Sequence, residues 1–237
     1  MSSLAEAKSE SITLVQVTPT LRLNVVQDPS SGIAYQLWPS ATILANYLST
    51  SNIVKGKAVL ELGSGCGLVG LSAAAFGARS VILTDRPDAL EHTQRNAAAN
   101  VTESVACEPL AWGGGLPSEL QKSFDLVLLS DCTYWQHLHE RLLETLEEAV
   151  DEDTVVLLAH QWRRREVEQG FFDALSERGW GWKVVRECDA DDVIVVEMRK
   201  RGGGEKQETR TEEDERAALL DRLRLLEADL ESIEAER

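Results

Sequence analysis

KAVLELGSGCGLVG, residues 57–70, runs from an unbroken apolar stretch into a glycine-rich turn and out into a second apolar stretch. A run of apolar residues without alternation is what a strand covered on both faces needs, and such strands belong to parallel sheets. Gly63, Gly65 and Gly67 lack the Cβ that would keep the backbone from turning tightly and lying close to a ligand. Three readings of the turn stay open at this point. Gly65, Gly67 and Gly70 spell GxGxxG, the dinucleotide pattern; the turn also suits another adenosine-containing ligand, or a purely structural bend.

Outward from this stretch the same grammar repeats. SVILTD, SVACEPL, FDLVLLSD and TVVLLAH are further short apolar runs, and LVGLSAAAFGA, ALEHTQRNAAAN and HLHERLLETLEEAV between them read as helices. WGWKVV and DVIVVEM complete seven candidate strands. The alternation predicts an α/β fold with a doubly wound, mostly parallel seven-stranded sheet. Ahead of it, residues 11–27 alternate apolar and polar around Thr18, Pro19 and Thr20, the pattern of a β-hairpin within a segment of about 10–36. In AYQLWPSATILANYL, Pro39 suits a first helical turn, which leaves Trp38 at the mouth of the helix. The catalytic-sized domain thus takes residues 1–200. KRGGGEKQ marks a flexible joint over 201–206, and Leu219, Leu223, Leu226, Leu230 and Ile233 give residues 207–237 one apolar helical stripe. That tail helix docks on its own domain, stays marginal, or meets a partner, so a monomer and a tail-mediated dimer are both expected forms.

A net charge of -16 opposes a broad grip on nucleic-acid phosphates and favours a basic or locally positive protein partner. The four cysteines, Cys66, Cys107, Cys132 and Cys188, form no CxxC pair and share no zinc-type spacing with histidine, so no metal is expected and reduced thiols are. The first ten residues carry neither a basic nor an apolar segment of a signal, and no stretch is long enough to span a bilayer, so the expected place is the cytoplasm, with the nucleus as the second compartment.

Glu61 tilts the glycine turn away from a dinucleotide. A pyrophosphate on a helix N-terminus gains nothing from a carboxylate two residues before the glycines, whereas a ligand bearing a sulfonium and an ammonium does. Asp85 ends SVILTD 22 residues after Gly63, where a carboxylate can accept hydrogen bonds from both ribose hydroxyls of an adenosine. A helix cap before Pro87 is its plain alternative. Ser130 and Asp131 end FDLVLLSD at the carboxyl edge of the sheet, where open α/β folds bind ligands.

The ordered set LWPSA, ELGSGCGLVGL, the acid of SVILTD, the tryptophan of LAW and the segment Ser130-Asp131-Cys132-Thr133-Tyr134 resembles the family 16 methyltransferases over residues 10–198. These are seven-β-strand, Rossmann-like enzymes, mainly protein-lysine methyltransferases acting on chaperones, AAA ATPases and translation factors. The resemblance implies S-adenosyl-L-methionine as cofactor, held by Trp38, Glu61, Gly63, Ser64, Gly65, Asp85, Trp112 and Ser130. It places Asp131 and Tyr134 at the acceptor amine, and it makes an N-methyltransferase of protein lysine the leading expectation. Methylation of a small molecule or of another side chain, and a cofactor-binding module without activity, are the alternatives.

Trp38 and Trp112 would otherwise be core aromatics. His137 and His139, at the start of an acidic helix, read as surface or capping residues, and the run Arg163, Arg164, Arg165 reads as a solvated helix start with an acidic target as the sharper option.

Overall fold

The computed structural model describes residues 11–100, 103–121 and 123–200. The proposed linker and tail helix, 201–237, lie outside the described residues.

Strands β1 (Ser11–Gln16) and β2 (Arg22–Gln27) form the expected antiparallel hairpin. Its second strand is fastened to the main body by helix α3 (Leu90–Asn100). The Asn96 and Asn100 side chains accept from the Val26 and Asn24 amides at 2.8 Å and donate back to the same residues' carbonyls, as a neighbouring strand would. Asn96 also donates to the Cys66 carbonyl at 3.0 Å, so one buried amide ties the hairpin to the glycine loop.

The main sheet has five parallel strands: β3 (Ala58–Leu62), β4 (Ser80–Asp85), β5 (Val105–Pro109), β6 (Leu126–Ser130) and β7 (Val155–Gln161). The antiparallel pair β8 (Trp180–Cys188) and β9 (Val193–Lys200) closes one edge, and the order is β5-β4-β3-β6-β7-β9-β8. From β3 the chain winds outward to β4 and β5, then returns to build β6 and β7 on the other side. The order therefore reverses between β3 and β6, and the crevice at their carboxyl ends is where this architecture takes ligands.

Period-two alternation along β3 assigns its two faces. Val59 packs with helices α1 (Pro39–Ser51) and α2 (Leu68–Ala75), while Leu60 and Leu62 pack with α4 (His139–Ala149) and α5 (Arg165–Glu177). Helix α4 presents Leu142, Leu143, Leu146 and Ala149, one stripe at helical spacing, and each fully buried leucine contributes about 1.5–3 kcal/mol. Glu61 shares the face of Val59, so its carboxyl lies under α2 and not in water. Helix α2 comes this close because Gly70 has no side chain: a Cβ there would sit 2.2 Å from Leu83 Cδ2 and 2.6 Å from Glu61 Oε2.

Candidate active site

The glycine loop is stitched to the neighbouring strand before it meets any ligand. The Ser64 amide donates to the Thr84 carbonyl at 2.8 Å, the Thr84 amide donates to Ser64 Oγ at 3.1 Å, and Thr84 Oγ1 donates to the Glu61 carbonyl at 2.6 Å. Gly63 turns with φ of 68°, and a Cβ on it would lie 3.0 Å from both Cys132 Sγ and the Trp112 ring. Gly65, with φ of 52°, passes under the Ala34 carbonyl. These two positions need glycine for backbone conformation and for the closeness of their neighbours.

Asp85, nearly buried at the end of β4, accepts from the Gly65 amide through Oδ2 and from the Arg86 amide through Oδ1, both at 2.7 Å. It does not cap α3, which begins at Leu90. Burial raises its pKa against the pull of these two amides. Each oxygen keeps a second lone pair for hydroxyl donors. Glu61 Oε2 accepts from the Gly70 amide at 2.9 Å, and burial pushes its carboxyl up to about 8 against the lowering effects of Gly70 and Ser64. A cation entering the crevice would draw this group into its ionised form.

Trp38 is the residue before the first turn of α1, with Pro39 at its start as expected, and its indole donates to the Ile33 carbonyl at 3.0 Å. Ser130 Oγ donates to Ser40 Oγ at 3.1 Å, joining the end of β6 to α1. Asp131 adopts φ of 58°, a left-handed conformation rare outside glycine, and its amide donates to the Ala159 carbonyl at 2.9 Å. Behind the tetrapeptide, Thr133 Oγ1 meets His160 Nδ1 at 2.7 Å and His139 Nε2 meets the Thr133 carbonyl at 2.8 Å. The Tyr134 ring stacks at a tilt against Trp135 at 5.4 Å, and burial pushes its hydroxyl up to about 12.

All ten residues named from the sequence, Trp38 to Tyr134, line one cavity of about 450 Å³ at the β3/β6 crevice. Cys132, Leu110 and the loop around Ala34 complete its walls. Leu110 and Cys132 come with the LAW and Ser130 to Tyr134 segments, whereas the loop around Ala34 carries no motif and enters through chain crossing. The arginine run departs from the expectation of a solvated helix start. Only Arg165 begins α5, in an exposed pair with Asp192. Arg164 donates to the Tyr134 carbonyl at 3.1 Å, and Arg163 grips both oxygens of Asp131, Nη1 to Oδ1 at 2.7 Å and Nη2 to Oδ2 at 2.6 Å. Asp131 is thus a paired carboxylate, not a free one. Of the two histidines, His137 is exposed and His139 is buried in the hydrogen bond above. Among the described residues no His, Cys, Asp or Glu cluster could hold a metal, and no helix is long and apolar enough to cross a membrane.

A glycine cradle that a Cβ would fill, two strand-end carboxyls and two tryptophans around one crevice fit an adenosine-bearing cation. The fold is that of Rossmann-like methyltransferases. The ribosomal protein L11 methylase of Lactobacillus delbrueckii subsp. bulgaricus superposes with a TM-score of 0.56 at 21% identity, covering 70% of this chain and 81% of that one. The mitomycin 7-O-methyltransferase MmcR does so with a TM-score of 0.51 at 17% identity, over 68% and 56%. The lysine methyltransferase family profile matches residues 17–178, and the chain belongs to that family. Protein N-lysine methyltransferase METTL21A of Danio rerio is 37% identical over 163 residues, 66% of this chain and 74% of that protein. EEF1A lysine methyltransferase 3 of Xenopus tropicalis is 28% identical over 182 residues, 76% and 81%. The chain is therefore a methyltransferase whose methyl donor is S-adenosyl-L-methionine.

Proposed function

We propose that this enzyme transfers methyl groups to a lysine side chain of a specific protein, with Asp131 and Tyr134 on the acceptor side of the cavity. The observation that carries the assignment is the grouping of Asp131 and Tyr134 with the glycine loop, Glu61 and Asp85 around a single crevice. Glu61, Gly63, Ser64, Gly65, Asp85, Trp38, Trp112 and Ser130 would hold the donor: Asp85 at the ribose hydroxyls, Glu61 toward its cationic end, and Trp38 and Trp112 as apolar walls.

The donor supplies an electrophilic methyl on a sulfonium. The acceptor nitrogen's lone pair forms the new N–C bond as the C–S bond breaks, the sulfonium becomes a thioether, and the amine's proton leaves to water. The protein's own work is to align nitrogen and methyl, keep water out and keep the amine neutral. Asp131 accepts a hydrogen bond from the incoming amine and orients it. Tyr134, whose hydroxyl stays protonated over the physiological range, offers a ring face and a hydrogen bond.

Relatives are named for EEF1A, so a translation factor is the first target to try, with chaperones and AAA ATPases next. The cytosol, or the nucleus, is where such a target would be met. Incubating the full chain with tritiated donor and a cell lysate should label one or a few proteins. Asp131→Ala should lose that labelling yet retain calorimetric binding of S-adenosylhomocysteine. A labelled small molecule with no labelled protein would overturn the assignment.

A further inference from the structure

A carboxylate beside an acceptor amine orients it but also stabilises its protonated, unreactive form. The structure holds an answer to that conflict in Arg163. Asp131 lines the cavity and Arg163 does not, and the Arg163 side chain is one-third exposed against 4% for Asp131. It makes two parallel bonds to the carboxylate, a third from Nη2 to Gln161 Oε1 at 2.8 Å, and lies over the Trp38 ring, 5.1 Å from its centroid. Its backbone is fixed as well, because the amides of Arg163 and Arg164 both donate to the buried Glu168 Oε2, at 2.9 and 3.0 Å. A planar fork anchored at this many points determines where the carboxylate points, and its charge offsets that of Asp131.

We propose that Arg163 is a positioning residue for methyl transfer: it aims Asp131 at the acceptor amine and cancels the negative charge that would otherwise keep that amine protonated. The inference rests on the reading of Asp131 as the acceptor-side acid.

Three titratable groups packed around the pair are moved away from neutral pH. His160, which faces both members, is pushed down to about 4 by burial, against the raising effect of Glu168. Tyr134 and Cys132, on the Asp131 side, are pushed up, Tyr134 to about 12, both by burial. Glu168 directs Oε2 at two backbone amides and not at the guanidinium. Glu61 and Asp85 on the donor side, and Arg86, Arg141 and His137 at the cavity, are common to the wild type and every Arg163 variant, so they cancel in the comparison.

The test is kcat against pH from about 6 to about 9.5, with the full chain, saturating donor and the purified lysate protein that the wild type labels. An opposite charge at this range moves a pKa by about 1–3 units. Arg163→Gln should shift the acidic limb up by about one unit or more, cutting kcat about tenfold near pH 7 and restoring it to within about threefold near pH 9.5. Arg163→Lys, which keeps the charge and loses the fork, should leave the limb in place at reduced kcat. Where Arg163→Gln fails to fold because Asp131 is left unpaired, Gln161→Ala takes away the Nη2 contact that steadies the guanidinium and keeps both charges, so it should lower kcat with the limb in place. An unmoved limb in Arg163→Gln, a loss equal at every pH, or a limb shifted in Arg163→Lys or Gln161→Ala overturns the proposal. Asp131→Asn alone separates the two levels: unchanged kcat there sinks the acceptor-side reading itself, whereas a fall in kcat with an unmoved Arg163→Gln limb sinks only the role of Arg163.

Discussion

Replacing Glu61 by glutamine should change how stability depends on pH while leaving the fold intact. Glutamine keeps an oxygen for the Gly70 amide, which Glu61 Oε2 now serves at 2.9 Å, so the start of α2 stays capped. What disappears is the titration. The carboxyl goes from an ordinary 4.5 to about 8 on folding, because burial penalises its charge. Between those values the folded chain holds a proton that the unfolded chain has released, so stability is greatest below about pH 4.5 and falls as pH rises to about 8. At about 1.4 kcal/mol per pH unit the full loss is about 5 kcal/mol, a ceiling because Glu61 lines a cavity that water reaches. Urea unfolding of the wild type and Glu61→Gln at several pH values, without donor, should give curves that meet near pH 5 and diverge toward pH 9, the variant being the more stable. Parallel curves across that window would refute the reasoning, because they would mean that Glu61 is ionised throughout. Adding S-adenosyl-L-methionine should reverse the ranking, since the cationic donor favours the ionised carboxylate and the variant has none to offer.

Further outcomes follow from single contacts. Asp85→Ala removes the acceptor at the end of β4 and should weaken S-adenosylhomocysteine binding by about 1–3 kcal/mol, read by calorimetry, with little change in circular dichroism. Gly70→Ala places a Cβ against Leu83 and the Glu61 carboxyl, an overpacking that should cost about 1–3 kcal/mol in chemical denaturation. Arg165→Ala breaks an exposed pair with Asp192 and the contact of the guanidinium with the Trp162 ring at 4.9 Å, and should alter stability by about 1 kcal/mol or less.

The sheet was legible because parallel strands buried on both faces leave unbroken apolar runs, and KAVLEL and FDLVLLSD are such runs. The glycine turn was legible as a close-approach element but ambiguous in ligand until Glu61, Asp85 and the Ser130 to Tyr134 segment were set beside it. Two features lay beyond local pattern. The grip of Arg163 on Asp131 joins residues 32 apart in sequence, and periodicity says nothing about which charges meet across a crevice. A run of three arginines has the composition of a solvated helix start, yet it begins two residues after the last residue of β7, near the other strand ends that build the cavity. That position was the available signal. Gly70 was visible as the last glycine of GxGxxG, but the reason for it was not, because it comes from Glu61 lying under α2 and from Leu83 on the next strand.

The central claim is that the acceptor is a lysine amine delivered to Asp131. Its most direct measurement is fragment mass spectrometry of proteins methylated in a lysate by the wild type and by Asp131→Asn, each at saturating S-adenosyl-L-methionine. The account predicts methyl groups on a lysine side chain of one or a few proteins with the wild type, and their loss with Asp131→Asn while S-adenosylhomocysteine still binds. Methylation of a different side chain, or lysine methylation undiminished in Asp131→Asn, would contradict it.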